Sequence, residues 1–172
     1  KRILFFLVIH LSGVLFSQEN KSNKFLKLEL NKVVLENKDE INFKKANAFF
    51  EKKNWDSTLV YAMKQLEYKN PKILHDYCHF LRGNSFMKLM LFNEAKQEFN
   101  LISKKFRLYP YVNYNLGMAC IELKNYDKAI LYFEELKTIP LAQQQLYSAN
   151  RLNENLGICY LHLKDFSKAE FY

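Results

Sequence analysis

Glycine and proline are scarce in this chain of 172 residues, at four and three. A β-sandwich or barrel of that length turns on such residues every few positions, so their scarcity argues against an all-β fold. It also leaves no Gly-rich loop to cradle a phosphate: GxxxxGK and GxGxxG are absent, as are HExxH and GxSxG. The three cysteines, Cys78, Cys120 and Cys159, stand too far apart for a CxxC metal or redox pair, and their odd number argues against a disulfide framework. Arginine is rare, four residues against 22 lysines. Nucleic-acid sites draw on the bidentate guanidinium, so the formal charge of +8 reads as a lysine-rich solvated surface. No apolar run reaches the roughly 20 residues that span a bilayer. What is present is a half-apolar composition (49%), a quarter of charged residues (26%) and a mean hydropathy of −0.30, which fits a folded, water-soluble chain.

The sequence does not open on Met. Lys1-Arg2 precede an uncharged, mainly apolar run from Ile3 to Phe16, and Ser17-Gln18-Glu19 follow. A basic start, an apolar core and a small residue at the break read as a secretory signal over 1–17, cleaved after Ser17, with an uncleaved N-terminal anchor as the alternative. Its removal takes Lys1 and Arg2 and leaves a charge of +6. No cysteine follows the run, so a lipid anchor is not expected. The Phe-Ser-Gln ending resembles signal peptides of Bacteroidetes-type bacteria. Residues 18–38 form a polar leader, partly disordered or one short helix on Phe25, Leu26, Leu30, Val33 and Val34.

Beyond the signal only Gly83, Gly117 and Gly157 remain, spaced by 34 and 40, each inside a helical pattern where glycine costs roughly 1 kcal/mol. Their recurrence predicts close helix approach, where a Cβ would collide. The same offset of 34 pairs Phe86 with Cys120, Phe92 with Tyr126, Ala95 with Ala129 and Phe99 with Phe133. The offset of 40 pairs Leu116 with Leu156, Tyr126 with Phe166 and Ala129 with Ala169. A weaker unit precedes them, with Ala46 to Phe50 followed by the bend Lys53-Asn54-Trp55-Asp56, which recurs at Lys124 and at Lys164. In 110–124 and 126–138 the apolar residues fall at helical spacing, and a bend of two residues between such helices makes an antiparallel pair. One pair leaves an apolar face uncovered, so neighbours must stack.

This register resembles the tetratricopeptide repeat family, whose 34-residue unit carries Leu-Gly in its first helix and Ala-x-x-x-Phe in its second. The resemblance covers 39–172, as units near 39–71, 72–107, 110–140 and a truncated 141–172. Its structural positions here are Gly83, Ala95, Phe99, Leu116, Gly117, Ala129, Phe133, Leu156, Gly157 and Ala169. The implied fold is an all-α superhelix, with helix pairs near 40–53/55–68, 74–90/92–106, 111–123/126–138 and 142–163/166–172. Lys53, Met90, Lys124 and Lys164 replace the family's turn glycine, which predicts strained bends. Asn125 or Asp127, and Asp165, are the expected caps of second helices. The fourth unit stops at Tyr172, so the natural protein is expected to continue.

His75 and His79 share a helix face without a third ligand, so no metal or cofactor is expected. Cys120 and Cys159 occupy small-residue slots and read as packing residues, and Trp55 reads as core. The resemblance implies a non-enzymatic module that binds a protein or peptide along a groove lined by first helices. The stripe off the packed face supplies Tyr77, Phe80 and Asn84, then Tyr111, Tyr114, Asn115 and Met118, then Arg151 and Asn155; the alternative is that these residues seal neighbouring units against each other. Members that grip a terminal carboxylate use cations where this chain has Phe80 and Asn155, so that grip is not expected. The whole reads as an exported sensor or scaffold portion of a longer chain, in the bacterial periplasm or envelope. The alternatives are a stand-alone envelope assembly scaffold or, less favoured, a nucleic-acid-binding helical array.

Overall fold

A computed structural model of the chain describes residues 23–68, 72–139 and 149–172. Within them are nine helices and no strand. Helix α1 covers 23–36. It is followed by α2 (Ile41–Glu51), α3 (Trp55–Leu66), α4 (Lys72–Lys88), α5 (Phe92–Asn100), α6 (Tyr109–Glu122), α7 (Tyr126–Lys137), α8 (Ala149–His162) and α9 (Phe166–Phe171). The segment 1–17, read as a signal, lies outside the described residues, as does 142–148 of the expected long helix; the part of that helix within view is α8.

Four helix pairs are joined by one turn repeated four times. Lys53, Met90, Lys124 and Lys164 adopt left-handed backbone, with φ between 57° and 62°. Each lies just past the end of a first helix. The amide of the next residue reaches back five positions: Asn54 N–H to the Phe49 carbonyl (2.9 Å), Leu91 to Phe86 (2.9 Å), Asn125 to Cys120 (2.8 Å) and Asp165 to Tyr160 (2.9 Å). The left-handed residue itself donates three positions back, as Lys124 does to Ile121 (2.8 Å). This double closure satisfies the orphan carbonyls of a helix end and reverses the chain. The residue after it starts the second helix, and Asn54 and Asp165 accept from the amides of Ser57 and Lys168. Asn125 stands at the same point without a side-chain cap, contrary to expectation, and Leu91 has no side chain able to provide one.

Each helix from α2 to α8 packs on its successor, and the first helices also meet, α2 on α4 and α4 on α6. The register of the core follows from two glycines. A Cβ on Gly83 would run into the ring of Phe99, and one on Gly117 would lie 2.5 Å from Phe133 Cε1. Each aromatic ring therefore lies flush on the backbone of its partner helix, 16 residues after its glycine. Gly157 departs from the expected collision: the nearest atom to its Cβ position is the Ala169 carbonyl oxygen at 3.6 Å. Tyr172 Cβ follows at 3.7 Å, so an added methyl would meet ordinary contacts.

One helix end differs from the sequence reading by more than two residues, and the helix expected within 18–38 is present. α5 ends at Asn100, because the buried carboxylate of Asp76 accepts the Ser103 N–H (3.0 Å) and draws 101–108 into a loop whose Ile102, Phe106 and Leu108 turn inward. Residues 23–36 are helical, with Leu26, Leu30 and Val33 buried. The start of α2 has no cap of its own; Gln65 of α3 accepts the Phe43 N–H (2.8 Å) and donates to Glu40 (2.6 Å), so packing supplies the cap.

Candidate protein-binding face

The first helices α4, α6 and α8 carry the nine expected partner residues, and contacts join several of them. Asn115 donates to the Asn84 side chain (3.1 Å), and Asn155 donates to the Tyr114 hydroxyl (3.1 Å) and lies 3.3 Å from the Met118 sulfur. The Phe80 and Tyr111 rings meet edge on at 5.6 Å. Tyr111, Tyr114, Asn115, Met118, Arg151 and Asn155 are half-buried.

Tyr77 and Phe80 are corrected: they are interior, at 2% and 0% exposure, and Asn84 is buried with them. What covers them is the chain itself. The Tyr77 hydroxyl donates to Glu29 of α1 (2.7 Å), and its ring meets Phe106 of the 101–108 loop at 4.8 Å. Phe106 also lies 5.8 Å from Phe80. Arg107 pairs with the second Glu29 oxygen (3.0 Å) and lies over Phe25. Asn47 of α2 donates to Asn31 (3.4 Å), and Lys27 stands 4.0 Å from Glu51. α1 thus lies across the inner face of α2 and α4. Burial, with the bond to Glu29 second, raises the Tyr77 hydroxyl well above its ordinary range, so it stays a donor. Sequence reasoning missed Glu29, Phe106 and Arg107. The signal for α1 was its spacing of Leu26, Leu30 and Val33; the loop had none.

A cavity of about 470 Å³ remains where α1 and this face do not close. Leu26, Leu30, Phe50, Trp55 and Tyr111 line it, with Lys27, Lys53 and Lys88 at its edge. Trp55, expected in the core, is half-buried here and meets Phe50 edge on at 5.6 Å.

The other polar features hold structure. Glu98 accepts from Arg82 (2.6 Å) and pairs with His79 Nδ1 (2.8 Å), which ties α4 to α5. Burial alone would raise the Glu98 carboxyl; the bonds from His79 and Arg82 outweigh it and hold it below the ordinary range. Among the described residues no three His, Cys, Asp or Glu side chains are grouped to hold a metal. Cys78, Cys120 and Cys159 are buried free thiols. Burial pushes Cys78 up to about 12 and Cys159 up to about 11, which suppresses the nucleophilic thiolate.

Helix pairs stacked in order, first helix touching first helix, define an α-helical repeat superhelix of tetratricopeptide type. The sequence model of the tetratricopeptide repeat family matches residues 110–139, which hold α6 and α7. That repeat is a non-catalytic module that generally mediates protein–protein interaction. No curated protein matches the chain.

Proposed function

We propose that the chain is a non-enzymatic binding module for a protein or peptide, and that the partner contacts the stretch Tyr111, Tyr114, Asn115, Met118, Arg151 and Asn155. The observation that carries this is the half-exposed run of aromatic, Met and amide side chains joined from α6 to α8. Aromatic rings give large contact area at low entropic cost, Met adapts to irregular apolar shapes, and amides can bond an extended backbone. Tyr77 and Phe80 belong to the support of this face and not to its surface.

Capture from an envelope extract by a photo-crosslinking residue at Met118 tests the site. A Tyr114→Ala, Asn115→Ala double variant that retains its helical circular dichroism is expected to lose the crosslinked species. Undiminished capture moves the site elsewhere. The module acts in the periplasm or envelope, as part of a sensor or scaffold. The sequence of 1–17 and its likeness to Bacteroidetes-type signals support this. An alkaline phosphatase fusion in a bacterial host is expected to be active with 1–17 and inactive without it; equal activity of the two overturns the export reading.

A further inference from the structure

The groove side of the first two units is already filled, and its occupant states the chemistry it takes. α1 presents Leu26, Leu30 and Val33 at spacings of four and three, with Glu29 between them, and all four are buried. The glutamate is met by two groups, the buried Tyr77 hydroxyl at 2.7 Å and the guanidinium of the exposed Arg107 at 3.0 Å. A buried carboxylate is tolerated only where such partners wait for it, so the face selects an acidic residue at that point of an apolar helix stripe. The fit is incomplete. The 470 Å³ cavity stays open beside α1, the buried Oδ1 of Asn47 has no partner, and Leu28 and Leu35 on the outer side of α1 are solvent-exposed. Residues 37–40 are the covalent link from α1 to α2, beside which stand a long Asn47–Asn31 bond (3.4 Å) and the Lys27–Glu51 pair at 4.0 Å.

The geometry points to α1 as a resident, displaceable ligand, occupying a second docking surface that takes an amphipathic helix with aliphatic residues at i, i+4 and i+7 and a carboxylate at i+3. The inference rests on the reading that this side of the superhelix binds protein, and extends it from α6 and α8 to α2 and α4. A tether of four residues holds α1 at high local concentration, so a helix added in solution competes at a disadvantage set by the fraction of chains in which α1 is away.

The test uses the full chain and a fluorescein-labelled peptide of residues 23–36. A Leu26→Asp, Leu30→Asp variant weakens α1 without altering the face. It is expected to bind the peptide at least tenfold more tightly than the wild-type chain does. The same peptide carrying Glu29→Lys is expected to lose at least tenfold of that affinity. A Lys27→Cys, Glu51→Cys chain closed by a short bis-maleimide is expected to bind neither. Equal affinity of the two peptides, no gain on weakening α1, or binding that survives the crosslink overturns the inference. So does loss of the cooperative helical melt in the Leu26→Asp, Leu30→Asp variant, since α1 would then be core. Hydrogen exchange of the wild-type chain gives an independent reading: α1 amides must open while α2 to α6 stay protected, and coincident opening overturns it. The peptide experiment does not use Tyr114 or Asn115. If it fails while their double variant still abolishes capture, only α1's role falls; the reverse pair of results removes only the α6–α8 site.

Discussion

Lys53, Met90, Lys124 and Lys164 hold the conformation that glycine adopts without cost, and all four are non-glycine residues. An L side chain in left-handed backbone costs about 1–2 kcal/mol, and glycine returns part of that gain through a freer unfolded chain. Lys124→Gly, taken singly, is therefore expected to stabilise the fold by about 0.5–1 kcal/mol, read as a rise in urea midpoint; a fall would show that the lysine side chain contributes more than its backbone loses. Glycine inside helices has the opposite sign at two of three places. Gly117→Ala must displace Phe133, and overpacking of that kind costs about 1–3 kcal/mol. Gly157→Ala meets only ordinary contacts, so helix propensity governs, and the variant is expected to match or exceed the wild type in melting temperature. The glycine period was legible in the sequence, but the identity of the clashing atom was not, because the ring comes from the second helix.

At the scale of elements, the helix pairs were legible because apolar spacing and the bend recur together. The end of α5 was not, since Leu101 to Phe106 suit a helix and tertiary contacts, the bond from Ser103 to Asp76 and the burial of Ile102, Phe106 and Leu108, accompany its end. Capping shows the same division. Asn54 caps α3 from its own side chain, whereas the cap position of α5 is Leu91, which is 42% exposed and whose side chain caps nothing. Leu91→Asp is expected to add about 1 kcal/mol, and Asn54→Ala to remove about as much, in thermal melts. The pairing of α4 with α5 depends on pH through Glu98. Its folded pKa lies below the ordinary value of 4.5, so its contribution is full above that value and is lost as pH falls through the depressed folded pKa. Glu98→Gln is expected to be less stable than the wild type at pH 7, and the gap in melting temperature should narrow steadily below pH 4.5. A constant gap from pH 7 to pH 3 would mean that packing, not charge, is what the variant removes.

The molecule as a whole is a stack in which each unit relies on its neighbours, so stability should vary along it. The candidate site was legible only in part for the same reason: the stripe on α4, α6 and α8 follows from the period, but which part of it stays open depends on α1 and Phe106, which arrive from outside the repeat. Burial is dense in the middle, where Phe80, Phe99, Leu116 and Phe133 are all at 2% exposure or less. At the far end α9 contributes no buried side chain. It is held back to α7 through Tyr172, whose hydroxyl donates to Glu134 (2.6 Å) and accepts from Lys137 (2.8 Å), while its ring stacks on Tyr160. Surface hydrogen bonds of this kind contribute little beside buried apolar area. Amides of α9 are therefore expected to exchange through local opening well before those of α4 to α7, by at least tenfold in rate. Tyr172→Phe should raise the exchange of α9 further and leave α4 to α6 unchanged. Phe133→Ala should do the converse, since it removes a ring at 0% exposure that seats α7 on α6, and should bring the protection of α6 and α7 down together. Exchange that is uniform from α4 to α9, or a Phe133→Ala effect confined to α7 alone, would mean that the array opens as one block or as single helices, and the nearest-neighbour account of its stability would fail.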